Sequence, residues 1–379
     1  MMANGFYVVQ PQDSLFFRDG RPYEQADDGL AAAASLFPPH PTTLTGALRV
    51  ALAMGNGWEG SEGWPKDILG DGQDLSKGTV RFGALLLMRQ VGEKWQPLYP
   101  APRNLLVRKA SNGLAFATLS PHRTPALTDL GLLHPMLPPK GWENAKDARP
   151  AHDWWLTADG LAKVLAGEQL GDDFAKTHVV HSSQLWEKEP RIGLEMSAES
   201  RTAVRGRLYA PTHVRLRDNV GLGIAVSDLP DRWKKPASIV PLGGEHRFAH
   251  LEPAGEAPKV PELGKINHDS EGNQLVSITL LSPARVDTEW LKPGPLFDGK
   301  AEILSACLGD VLPIGGWDSR PGPNRGPVPL RAFLPAGSCW FLRMPPDVRE
   351  KLPSFLGDAA DNAHGFGHYA LGTFQFSGE

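Results

Sequence analysis

Residues 243–252 read GGEHRFAHLE, and residues 365–372 read GFGHYALG. Both place permissive backbone just before a short mix of histidine, aromatic and apolar residues. Glycine reaches positive φ without steric cost, so both stretches read as elbows that turn the chain into a closing strand. The same order recurs upstream of each elbow. GFYVVQP, near the start, is a β-branched and aromatic run closed by proline and reads as a first strand. PHPTTLTGALRVALAM then switches to helical spacing, with Thr42 or Thr43 as cap and Leu44, Leu48, Ala51 and Leu52 on one face. This predicts a helix over about 43–54, followed by a strand at TVRFGALLLMRQV. In the second half QLVSITLLSPARV reads as a strand, EWLKPG and AEILSACLG as helical pieces, and VLPIGGW as a strand. PVPLRAFLPAGSCWFLRM reads as a hairpin-like pair and PPDVREKLPSFL as a helix, with Pro346 near its start. Each half therefore follows a βαββαβ plan, which makes the chain α+β with two modules of one pattern.

Length and composition agree with two modules. A chain of 379 residues exceeds the size at which one core usually stops growing. With 41 glycines and 35 prolines, turns and irregular connections should be many and helices few. The net charge of −4 excludes a globally basic binder but not a local basic face. Cys307 and Cys339 are the only cysteines and form no CxxC pair, so a disulfide framework and a cysteine zinc site are both unsupported. The opening MMANGFYVVQPQD has no signal-peptide pattern, and no apolar run approaches the length of a membrane span. A cytoplasmic protein with no membrane partner is expected.

The first domain is expected at 1–255, with an insertion at about 100–190 rich in Pro, Trp and His and a helix at TADGLAKVLAG. Residues 191–226 alternate well enough for several strands and a projecting β-hairpin. ASIVPLGGEHRFAHLEP is then strand, elbow and closing strand. The proline- and glycine-rich stretch PAGEAPKVPELGKINHDSEGN is the best linker, which sets the second domain at 273–379.

The chemistry concentrates in residues 191–217, which carry Arg191, Arg201, Arg205, Arg207, Arg215 and Arg217, no lysine, and only Glu195 and Glu199 in opposition. The planar guanidinium fork suits phosphate oxygens and stacks on bases, and Tyr209 adds an aromatic face. The same pattern is also that of an exposed hairpin whose arginines pair with carboxylates elsewhere. Successive glycines at Gly243 and Gly244, and again at Gly365 and Gly367, would let backbone N–H groups approach a phosphate. Ordinary tight turns explain such glycines as well, and neither stretch is a P-loop or a dinucleotide fingerprint. His246 and His250 stand four apart, as in some metal sites, but no third ligand follows; His178 and His181 share that defect. No metal or other cofactor is expected. His40, His364, His368 and Tyr369 are available for acid–base cleavage of RNA, yet no catalytic motif surrounds them. Trp317, in a stretch with Arg320 and Arg325, suits stacking on a base or plugging a seam between the domains.

FFRDGRPY, PPHPTTLTGALR, RIGLEMSAESRTAVRGRLY, VPLGGEHRFAH, IGGWDSRPGP, LPAGSCWFL and GFGHYALG, in that order, resemble the third subunit of the Cmr effector complex of type III-B CRISPR systems. That family lies within the repeat-associated mysterious protein (RAMP) superfamily. The blocks span nearly the whole chain but leave most of 100–190 and the linker unmatched. The resemblance implies two ferredoxin-like, RNA-recognition-motif-like domains with glycine-rich loops before their last strands. It implies a non-catalytic role in antiviral defence, in which the subunit grips the 5′ handle of the CRISPR guide RNA. Its expected partners are that RNA, the large polymerase-like subunit on which it docks, and a backbone RAMP subunit; no small-molecule substrate is expected. The glycine loops fall on Gly243, Gly244, Gly365 and Gly367, and an arginine-rich block falls on Arg201, Thr202, Ala203, Arg205 and Tyr209. The arginine-rich block is expected to meet RNA or the neighbouring subunit, and the expected RNA contacts are Arg191, Arg201, Arg205, Arg207, Tyr209, Gly243, Gly244, Arg247, Trp317, Gly365, Gly367 and His368. An alternative activity is metal-independent cleavage of CRISPR repeat RNA, as performed by other members of the superfamily.

Overall fold

The computed structural model describes residues 2–18, 30–60, 62–72, 74–111, 113–197, 199–233, 235–318 and 326–378. Side chains are described for all of these except 2–4, 30–34, 76, 195, 205–209, 317 and 318. The chain is α+β, with many antiparallel strands and few helices. It forms two compact units, each assembled from three stretches: Met1–Trp95, Ser183–Ala257 and Pro313–Ala332 in the first, Gln96–Ser182, Pro258–Leu312 and Phe333–Glu379 in the second. The stretch read as an insertion thus falls mainly in the same unit as the C-terminal strands.

The first unit is built on β1 (Met2–Pro11), β2 (Leu86–Val91), β6 (Val220–Pro230), β7 (Ile239–Pro241) and β8 (Phe248–Pro253). They lie in the order β2-β6-β1-β8-β7 with every pairing antiparallel. Numbered along the chain, the four principal strands stand 4-1-3-2. β1 is central, and Phe6, Tyr7, Val8 and Val9 are all buried, so the strand is covered on both faces. The predicted first helix is α1 (Pro41–Gly55), burying Leu44, Leu48, Ala51 and Leu52. It starts before Thr42 because Pro41, with its preset φ and no N–H to lose, takes the first turn; His40 is the N-cap and makes no side-chain cap bond. Between β6 and β8 the described residues hold only a 3₁₀ turn, Asp231–Trp233, and β7 in place of a second helix.

Residues 186–216 form a separate sheet. β3 (Trp186–Pro190) and β4 (Gly193–Met196) both pair antiparallel with β5 (Ala203–Leu216), and Leu30–Ala34 pairs with it in parallel. The expected hairpin is therefore β4–β5, turning at residues 197–202, and β5 runs on into β6.

The second unit repeats the strand order. β9 (Gln274–Leu280), β10 (Ala301–Cys307), β11 (Cys339–Met344) and β12 (Tyr369–Thr373) stand β12-β9-β11-β10, again 4-1-3-2 and antiparallel. β9 is buried at every position. One face packs Val276, Ile278, Leu280, Trp340 and Leu342 with Trp290; the other packs Leu275, Leu304, Phe341 and Phe374 with Met136. The predicted helix of the 100–190 stretch, α2 (Ala158–Leu165), is capped by Thr157 and lies against β12.

Several expectations change here. AEILSACLG is strand β10 rather than helix: Ala301, Ile303 and Leu304 are buried on a sheet covered on both faces, which erases the two-residue alternation. EWLKPG yields one 3₁₀ turn, Thr288–Leu291, and the predicted 346 helix is a single turn, Pro346–Arg349. PVPLRAF and CWFLRM do not pair with each other. Gly326–Phe333 pairs with Leu312–Asp318, whereas Cys339–Met344 is central in the second unit's sheet.

Candidate nucleic-acid interface

In the first unit the glycine elbow joins β7 to β8. Gly243 has φ +79°, and a Cβ built on it would lie 2.5 Å from the Phe16 carbonyl oxygen, so this position admits only glycine. Gly244 donates its N–H to that same oxygen at 2.8 Å. Glu245 and His246 follow in the left-handed region, at φ 55° and 53°. Consecutive left-handed residues carrying side chains are costly and persist where contacts hold them. Here the hold is His213 of β5, fully buried, whose Nε2 lies 3.0 Å from Glu245 Oε2 and whose Nδ1 lies 3.1 Å from Ser14 Oγ. The imidazole also stacks on Phe16, with ring centroids 5.3 Å apart. Burial lowers the His213 pKa, against the pull of Glu245.

Around this relay the arginines are paired. Asp13 accepts hydrogen bonds from Arg215 Nη2 at 2.7 Å, Arg247 Nη1 at 2.8 Å and Arg191 Nη2 at 3.3 Å. Glu189 accepts from Arg191 Nε at 2.7 Å and Arg215 Nε at 2.5 Å, and Arg217 reaches Glu187 at 3.1 Å. Arg215–Glu189 and Arg217–Glu187 are diagonal cross-strand pairs, since Glu187 stands opposite Arg215 and Glu189 opposite His213 in the β3–β5 register, whereas Arg191 and Glu189 are two residues apart along the chain. The Ser14 backbone N–H, then Arg215 and Arg191, hold the Asp13 carboxyl down at about 2. Arg215 likewise depresses Glu189. Three guanidinium groups share the two carboxylates of Asp13 and Glu189, which leaves one positive charge in excess.

Arg201 differs. It sits exposed in the β4–β5 turn at φ 54°, and its side chain has no partner among the described residues. Arg205, Arg207 and Tyr209 are placed by backbone alone, in β5, with Tyr209 opposite Gly193; their side chains lie outside the described residues. So do the Trp317 side chain and residues Arg320 and Arg325, although the backbone of Trp317 is in the strand Leu312–Asp318.

The second unit's glycine loop precedes β12, the same place in the strand order as Gly243 and Gly244 hold in the first unit. Gly365 and Gly367 have φ 87° and 75°, and a Cβ on Gly367 would overlap the Leu356 carbonyl oxygen. The N–H groups of residues 365–368 already donate within the unit, to Asn362 O, Asp361 O, Pro283 O and Ser282 Oγ. The loop is thus a packing device with no N–H left over for a phosphate. His368 sits edge-on to Phe355, its Nε2 has no partner, and burial drives its pKa down to about 4. His364, in the same loop, is buried; His40 caps α1 in the first unit. No group of three His, Cys, Asp or Glu suited to a metal ion occurs among the described residues.

The structure thus brings Arg191, Arg247, Gly243 and Gly244 together, and adds Asp13, Ser14, Glu189, His213 and Glu245, which sequence reading missed. Asp13 and Ser14 lie about two hundred residues from His213 and Arg215, so no local spacing signals the contact.

The family described as CRISPR-associated protein (Cas_Cmr3) matches residues 7–374. The chain belongs to the Cmr3 family of CRISPR-associated proteins. Cmr3 proteins are subunits of the type III-B CRISPR effector complex. Solved chains similar to this one include two from Cmr-beta complexes. The first, from the Type III-B Cmr-beta bound to cognate target RNA and AMPPnP, is 16% identical at a TM-score of 0.49, over 97% of this chain and 99% of that one. The second, from the Type III-B Cmr-beta bound to cognate target RNA, is also 16% identical, at a TM-score of 0.47 over 95% of each chain. No curated protein matches the sequence. No helix is long and apolar enough to cross a membrane.

Proposed function

We propose that this Cmr3-family chain is a non-catalytic, guide-RNA-binding structural subunit, which grips the 5′ handle and docks on the large polymerase-like subunit beside a backbone RAMP subunit. The observation that carries the reading is the family match over residues 7–374. The antiparallel 4-1-3-2 order in both units supports two ferredoxin-like modules, with second helices reduced to short turns. The first unit offers a preordered cationic surface: strand β5 and the 243–246 elbow are locked by His213, and three arginines are oriented by two carboxylates. Carboxylates that pre-position guanidinium groups reduce the ordering cost of a later phosphate contact. Phosphate oxygens would be met first by the exposed Arg201 and by the β5 arginines.

A structural rather than chemical role is supported by the accessibility of the relay. Ser14, His213 and Glu245 form a hydroxyl–imidazole–carboxylate series, but the Ser14 hydroxyl is fully buried and has no approach to a substrate. The test is co-expression of the tagged chain with its partner subunits, followed by sequencing of the bound RNA and identification of bound proteins. Guide RNAs with a protected repeat-derived 5′ end are expected. Absence of RNA enrichment, or cleavage of repeat RNA by the purified chain, would overturn the reading.

A further inference from the structure

The second unit contains a polar cavity of about 440 Å³ that the glycine loops and the arginine hairpin do not touch. Its volume falls in the roughly 300–1,000 Å³ range of small-molecule clefts. Aromatic and cationic groups converge on it. Phe376 lines it, fixed edge-on by Phe374 with centroids 5.7 Å apart and flanked by His134 at 5.3 Å. The Arg123 guanidinium stands 5.9 Å from the Phe376 ring centre. Arg343 also lines it, bonded to Glu302 and 3.9 Å from the Asp269 carboxylate, and His268 is exposed at the rim.

The donors and acceptors are aligned rather than random. His134 Nδ1 lies 2.7 Å from the His122 carbonyl oxygen, which assigns the hydrogen to Nδ1 and leaves Nε2 as an acceptor. Asn267 donates its backbone N–H to Thr373 Oγ1 and one side-chain N–H to the Phe374 carbonyl, which fixes an amide that carries both an acceptor oxygen and a second N–H. Acceptors beside an aromatic ring suit the exocyclic amine of a base, and guanidinium groups suit a phosphate. The acidic residues of the rim do not make this a cation site: the Asp269 carboxylate is already capped by the N–H groups of Glu271 and Asn273 and by the Asn273 side chain.

We propose that this cavity binds one ribonucleoside monophosphate unit, the base against Phe376 and His134 and the phosphate against Arg123 and Arg343. Only the source of that unit, a nucleotide of bound RNA or a free mononucleotide, rests on the RNA-binding reading above.

The test titrates the purified full chain with AMP, CMP, adenosine and inorganic phosphate, and maps ultraviolet crosslinks to RNA in the assembled complex. Saturable binding of a nucleoside monophosphate is expected, weakened roughly tenfold or more by Arg123→Gln or Phe376→Leu, each judged in protein whose thermal unfolding is unchanged. Crosslinks at residues 123, 134 or 376 would assign the unit to RNA; mononucleotide binding without them would assign it to a free ligand. Phosphate binding as tightly as AMP would overturn the nucleotide assignment. So would the absence of both nucleotide binding and local crosslinks while guide RNA still co-purifies, a result that leaves the RNA-binding reading standing.

Discussion

Asp13 is the residue on which the first unit's cationic surface turns, because Arg191, Arg215 and Arg247 all donate to it. Its folded pKa, about 2, lies below the ordinary aspartate value of 3.8. The unfolded chain therefore binds the proton more readily, so the stabilisation is complete above about pH 4 and is lost as pH falls toward 2. Asp13→Asn is expected to lower the thermal midpoint at pH 7, with the gap to wild type closing between pH 4 and 2. A gap that persists unchanged at pH 2 would mean the carboxylate charge is not what holds the arginines. His368 acts in a higher window. Burial keeps it neutral with a folded pKa of about 4 against 6.5, so its contribution is present above pH 6.5 and lost as pH falls toward 4. The shift corresponds to at most about 3 kcal/mol. Denaturant titrations of His368→Leu should show a shallower loss between pH 6.5 and 4 than wild type. Equal slopes would show that the imidazole is not held neutral by burial.

At the scale of elements, the two glycines of the first elbow have different duties. Gly243 is left-handed and faces the Phe16 carbonyl oxygen at a distance no Cβ tolerates, whereas a Cβ on Gly244 would meet first the Phe16 ring edge, at 3.1 Å. Gly243→Ala should cost roughly 1–3 kcal/mol, and Gly244→Ala under about 1, as read from unfolding midpoints. Equal costs would refute the conformational argument. The elbows were legible because glycine before a histidine-bearing strand is a local signal, and α1 and α2 because their apolar spacing is local too. β10 was not, since a strand covered on both faces carries no alternation to read. Nor was the crossing of the chain between 333 and 339, where two neighbouring strands go to different sheets. Carboxylate pairing of the hairpin arginines was one of the sequence readings, but which carboxylates pair with Arg191, Arg215 and Arg217 lay beyond sequence because they are set by register and by distant contacts: Glu187 and Glu189 on β3, Asp13 from just beyond β1.

For the whole molecule, a net charge of −4 means that the RNA affinity proposed above has to come from local charge. The described arginine side chains of the 187–217 sheet and the neighbouring elbow divide into two groups. Arg191, Arg215, Arg217 and Arg247 already hold carboxylates, and for them a phosphate must compete with partners 2.5–3.3 Å away. Arg201 has no such competitor among the described residues, and it lies on the same hairpin as Arg205 and Arg207. Counterion release scales with phosphates newly neutralised, so an arginine that exchanges a carboxylate for a phosphate adds less to the salt slope than one that comes from water. Replacing Arg201, Arg205 and Arg207 together with glutamine should flatten the log–log salt dependence of guide-RNA binding by up to about 0.7 per lost contact. Arg215→Gln should change that slope less and instead lower the thermal midpoint, since it removes a shared partner of Asp13 and Glu189. Filter binding of handle-bearing RNA to the full chain between low and physiological salt measures both. If the triple variant keeps the wild-type slope while Arg215→Gln flattens it, the paired cluster and not the hairpin meets the phosphates.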